Sequence, residues 1–150
     1  MRKFNDQTGI TIIELLLVIV IISVIGLMSV SFYSRFLTQN AVDNADNQLV
    51  SSFRKAQTYS MMGKQNSSWS VNYGGTANTI TLYLGTPFSG HDTAFDEKYS
   101  VNNNITITPF DISFSKVTGL PSSSPTITIS SGNNIKTITI NSQGVVSKTN

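Results

Sequence analysis

The 150-residue chain has no cysteine. That absence excludes a disulfide framework, a thiol nucleophile and a thiolate metal site, and it says nothing about redox compartment. Charge is scarce too: 12% of residues are Asp, Glu, Lys or Arg, and the net charge is only +2. Nothing in that balance demands a nucleic acid partner. There is one histidine, and no carboxylates stand paired on a predicted rigid element. No nucleophile–base pair or metal-ligand set can be named, so the chain is expected to be neither an enzyme nor a cofactor or metal binder. Ser, Thr and Asn are abundant instead, which suits an uncharged, secreted β-rich surface. A mean hydropathy near zero conceals two unlike parts.

The first part is apolar. Residues 1 to 9, MRKFNDQTG, are short and polar, with Arg2 and Lys3 in front. From Ile10 to Tyr33 the chain is almost wholly apolar, broken by Thr11, Glu14, Ser23, Gly26, Ser29 and Ser31. The run from Leu15 to Phe32 reaches the roughly 17–25 residues of a membrane-crossing helix. Basic residues ahead of it predict a cytoplasmic N-terminus and everything after Tyr33 outside. A cleaved signal peptide fits poorly, because VSFYSRFL (residues 30 to 37) offers bulky residues where small ones are needed. A plain signal anchor leaves Glu14 without a role, although a carboxylate in lipid costs a few kcal/mol or more.

Between Leu27 and Met62 there is neither glycine nor proline. Val42, Ala45, Leu49, Phe53, Ala56 and Ser60 fall three or four apart, one stripe of an amphipathic helix. Gly63 follows as a C-terminal cap in the left-handed region. The two spans are expected to form one helix from about Ile10 to about Met62. Beyond it the period becomes two. SWSVNY (68 to 73) and TITLYL (79 to 84) flank GGTAN, and NITITPF (104 to 110), DISF (111 to 114), TITIS (126 to 130) and IKTITI (135 to 140) follow. Gly144 then turns the chain into Val145 and Val146. These are short antiparallel strands with turn residues between them. Residues 86 to 97 and 120 to 125 read as loops.

The expected fold is therefore α+β: a long N-terminal helix with a transmembrane first half and an amphipathic second half, packed on a small antiparallel sheet. The expected divisions are residues 1–9, 10–33, 34–63 and 64–150.

Within TGITIIELLLVIV (8 to 20), the segment Gly9-Ile10-Thr11-Ile12-Ile13-Glu14-Leu15-Leu16 resembles the processing motif of type IV prepilins and type II secretion pseudopilins. In that family a short basic leader ending in Gly is removed by a prepilin peptidase, the new N-terminus is methylated, and a Glu stands ahead of a long apolar helix. The resemblance implies a cut between Gly9 and Ile10, a removed leader 1–9, and an assembly role for Glu14. Ile10 departs from the usual Phe or Met, one apolar residue for another. NQLVSSFRKAQTYSMMGK (47 to 64) and the closing TITISSGNNIKTITINSQGVVS (126 to 147) are similar to GspH/FimT-type pseudopilins.

The resemblance further implies a pilin-like fold and a structural subunit, a minor pilin or pseudopilin. Its partners would be other pilin subunits, the peptidase/methyltransferase, an inner-membrane assembly platform, and membrane lipid before assembly. It would be a single-pass inner-membrane protein that passes into an extracellular pilus or pseudopilus. In low dielectric, the new α-amine of Ile10 and a neighbour's Glu14 would select one axial register. Two rival readings give the β-rich part a ligand, either DNA taken up for competence or a secreted protein.

Several residue groups admit two readings. His91, Asp92, Asp96 and Glu97 read as a solvated loop more readily than as a cation site, since their spacing fits no standard ligand pattern. Trp69, Tyr73 and Tyr83 read as core or sheet-face residues more readily than as a stacking surface. Arg54, Lys55, Lys64, Lys136 and Lys148 read as scattered surface charge rather than a DNA path. Asn66 and Asn104 open glycosylation sequons, read here as chance.

Overall fold

A computed structural model describes residues 9–74 and 77–149, with the side chains of 27–32 left aside. The expected leader therefore lies outside the described residues except for Gly9, as does part of the GGTAN loop. The chain divides into two units, Met1–Leu37 and Thr38–Asn150. Helical residues run over Ile12–Met61 (α1), crossing the boundary, and each unit is described by itself.

In the first unit, α1 starts where Thr11 can cap it. The Glu14 backbone N–H lies 3.3 Å from Thr11 Oγ1, and Leu15 N–H donates to the Thr11 carbonyl at 3.1 Å. No helix among the described residues is long and apolar enough to cross a membrane. The expected transmembrane first half of the helix is thereby overturned. So is the single-pass inner-membrane placement that rested on it.

In the second unit the expected single sheet is also corrected: there are two. β1 (Trp69–Tyr73), β2 (Thr79–Leu84), β3 (Glu97–Ser100) and β5 (Phe110–Phe114) form one, in the order β3-β2-β1-β5. β4 (Thr106–Ile107), β6 (Thr126–Ser131), β7 (Asn134–Ile140) and β8 (Val146–Thr149) form the other, in the order β4-β6-β7-β8. All pairings are antiparallel. NITITPF was expected as one strand, but the chain changes sheets within it. Thr108 N–H still donates to Thr128 O at 3.0 Å, then Pro109 supplies no N–H and the ladder ends. Phe110 restarts opposite Tyr73 in the other sheet.

One face of α1 covers both sheets. Val42, Ala45, Leu49, Phe53 and Ala56 are buried with Val71, Leu82, Ile112 and Phe114 of the first sheet and Ile127, Ile129, Ile138 and Ile140 of the second. Phe53 is the hub, its ring centroid 5.3 Å from that of Phe110 and 6.5 Å from that of Phe114. Ser60 sits in the apolar stripe because it makes tertiary bonds there. Its Oγ accepts from Trp69 N–H at 2.8 Å and its carbonyl from Val117 N–H at 2.9 Å. Gly63 ends the helix at φ 62, ψ 29, a conformation that costs glycine little.

Candidate assembly site on the N-terminal helix

The site begins at the α1 N-terminus. Gly9 and Ile10 precede the helix and are exposed, Ile10 at 76%. Thr11 is the N-cap, and Glu14 is the third helical residue. Thr11-Ile12-Ile13-Glu14 is thus the S/T-x-x-E pattern of a capping box. The sequence carried this signal in plain view, and the motif reading passed over it. An acidic residue in the first turn also faces the positive end of the helix dipole. Glu14 therefore has a local reason to exist besides any role between chains.

Past Glu14 the helix is apolar on every side. From Ile12 to Ile25 the large aliphatic side chains are 47% to 82% exposed, with none buried. Ser23 disturbs this little, because its hydroxyl donates to the Ile19 carbonyl one turn back at 2.8 Å. A helix that is hydrophobic all round is stable only when something encloses it. Each aliphatic side chain buried there would gain about 1.5–3 kcal/mol. Gly26 has no heavy atom within 4 Å of the position a Cβ would take.

The other residues singled out in the sequence lie in the second unit. Trp69, Tyr73 and Tyr83 are 2% exposed or less, so they are packing residues and not a stacking surface. Of the basic residues, Arg54, Lys55 and Lys148 line one pocket, while Lys64 and Lys136 are not among its residues. Lys55 pairs with Glu97 at 2.8 Å, Lys136 with Asp43 at 2.5 Å and Lys148 with Asp46 at 2.6 Å. Lys64 Nζ lies over the Tyr59 ring, 3.6 Å from its centroid. Hydrogen bonds from Lys55 to Glu97 and Tyr99 raise its ammonium above the ordinary lysine range. Partial burial pushes the Glu97 carboxyl up, but the bonds from Lys55 and Tyr99 outweigh it and hold the group below the usual carboxylate range.

The expectation for 86 to 97 as a solvated loop is corrected in part. His91 and Asp96 side chains are 8% and 3% exposed and paired at 2.8 Å, because the segment folds back over the first sheet. Among the described residues no three His, Asp or Glu side chains come together as metal ligands. Asn66, in one of the two sequons, is held by Lys116 through its side-chain oxygen.

No family model, curated protein or solved structure matches this chain.

Proposed function

We propose that the protein is a structural subunit, a minor pilin or pseudopilin, of a type IV pilus-like or type II secretion-like fibre. Copies join through the N-terminal helix, and the second unit is displayed on the assembly. The observation that carries this reading is the apolar surface from Ile12 to Ile25, exposed on all sides in the single chain. Neighbouring helices of the same kind would enclose it. The prepilin-like Gly9-Ile10 junction supports the same reading, because removal of the leader would place an α-amine on Ile10. That amine can pair with Glu14 of a neighbour. In the low dielectric of a helix bundle an unpaired charge is strongly penalised, so the pair would fix axial register. Other subunits of the fibre and a prepilin peptidase/methyltransferase are the partners this reading requires.

Mass spectrometry of the fibre fraction tests it. The expected chain begins at Ile10 with a methylated amine. A mature chain that keeps Met1, or begins beyond Tyr33, would remove the reading.

A further inference from the structure

The outer face of the first sheet is roofed by residues 85 to 96. Beneath this strap Ser70 and Tyr83 are fully buried and Thr81 is 4% exposed, although they point away from the main core. The strap is fixed at one end where Ser70 Oγ donates to the Gly85 carbonyl. Gly85 and Gly90 lie at φ +83 and +84, in the region that favours glycine.

Its middle is fixed by one side chain. His91 Nδ1 lies 2.5 Å from the Phe88 carbonyl oxygen, and Nε2 lies 2.8 Å from Asp96 Oδ1. Both partners are acceptors. A neutral imidazole has one N–H and can satisfy only one of them, turning a lone pair on the other, whereas an imidazolium donates to both. We infer that residues 85 to 96 form a proton-gated strap, shut while His91 is doubly protonated and loosened when the ring loses a proton, uncovering Tyr83 and its neighbours on the sheet.

The ring is surrounded by groups from the strap and from β2, β3 and β5. Within the strap, Phe88 stacks on the imidazole at 4.7 Å and 24°, and from β2 Tyr83 approaches to 4.8 Å with its ring tilted by 56°. Asp96, joining strap to β3, is nearly buried and supplies the carboxylate. Lys98 of β3 opposes the charge. Its Nζ stands 3.2 Å from Asp96 Oδ2 but without hydrogen-bond geometry, and the side chain is 58% exposed, hence screened. Asp111 of β5 is engaged by the Tyr83 hydroxyl at 2.6 Å, and Asp92 accepts from Ala94 N–H at 2.9 Å. With so little exposure at His91 and Asp96, water cannot readily replace the bond a neutral ring gives up.

The test uses the full chain and two readouts. Nitrogen NMR at about pH 5.5, below the ordinary imidazole range, should find both His91 ring nitrogens protonated. Limited proteolysis within 85 to 96 is then measured at about pH 5.5 and about pH 8.5. Each wild-type rate is divided by that of His91→Gln at the same pH, which cancels the protease's own pH dependence. The ratio should rise roughly tenfold or more, the worth of one charge-assisted hydrogen bond. An unchanged ratio overturns the strap. If His91→Gln does not fold, the wild-type spectrum decides, and a singly protonated ring at about pH 5.5 overturns it equally.

Discussion

Two stretches of helical sequence in this chain are rich in aliphatic residues and solve opposite problems. In the second unit, Val42, Ala45, Leu49, Phe53 and Ala56 lie on one stripe and are 1% exposed or less. The remaining faces carry Asp43, Asn47, Ser51, Arg54 and Thr58. In the first unit, Ile12 to Ile25 put aliphatic side chains on every face and bury none. Amphipathic placement lets a chain complete its own core. All-round placement cannot be satisfied by one chain, because no single sheet covers a whole cylinder. The comparison separates aliphatic side chains buried within one chain from aliphatic side chains that stay exposed in it.

The largest effect should come from substituting the same way on each side of that divide. Phe53→Ala removes a fully buried ring that touches Phe110 and Phe114 and should cost about 3–5 kcal/mol. Leu17→Ala, at a site 57% exposed in the single chain, should change monomer stability by less than about 0.5 kcal/mol. Its deficit should appear in assembly. Denaturant unfolding of both variants, beside the ratio of fibre-bound to unassembled protein, measures the two quantities. A Leu17→Ala variant that unfolds as easily as Phe53→Ala would show that the first unit is covered within the monomer.

A smaller effect sharpens what Glu14 does. Capping and register pairing make different demands on its side chain. A glutamine serves as well as glutamate at the third position of a capping box, but it cannot neutralise a neighbour's ammonium. Glu14→Gln should therefore keep the helix start yet lower fibre incorporation by roughly tenfold to a hundredfold, while Glu14→Ala loses both functions. Incorporation is read by immunoblot of sheared fibres against cell-bound cleaved protein. Wild-type incorporation in Glu14→Gln with loss in Glu14→Ala would reduce Glu14 to a capping residue.

Legibility in the sequence followed the same divide. The buried stripe on α1 and the alternation of TITLYL and IKTITI could be read directly, because burial on one side leaves a period. β3 could not. Its inward positions are Glu97 and Tyr99, whose polar groups are held by Lys55 at 2.8 and 2.9 Å while the Tyr99 ring packs against the core, so EKYS shows no run of aliphatic alternation. The division into two sheets turns on Pro109 and on a partner, Thr128, twenty residues away, which no local pattern reports. The His91–Asp96 pair was read as solvated because burial under a folded-back strap is a tertiary property. At the helix N-terminus the apolar run and Glu14 were visible. The membrane-crossing reading failed there, since no helix among the described residues is long and apolar enough to cross a membrane.

The smallest expected effect tests how much the Lys55–Glu97 charge pair adds to the hold on β3. Glu97 sits below the ordinary carboxylate range in the folded chain, so it binds a proton more weakly there than when unfolded. Its contribution to stability is present above the unfolded carboxylate range, near 4.3, and is lost as pH falls through the lower folded value. Lys55 has the opposite sign. Raised when folded, it contributes fully below the ordinary lysine range and loses that contribution only as pH rises through its higher folded value. Between those limits stability should be flat in this pair. Because the side chains are 41% and 32% exposed, solvent screening keeps the pair's worth at or below about 1 kcal/mol. Glu97→Gln should lower Tm by a few degrees near neutral pH and by less at about pH 3, because the contribution fades as pH falls toward the lowered folded value. Thermal scans of both chains at the two pH values measure the difference. An equal loss at both would mean that β3 is held by the Tyr99 contact and its ladder to β2, with the Lys55–Glu97 charge contributing nothing.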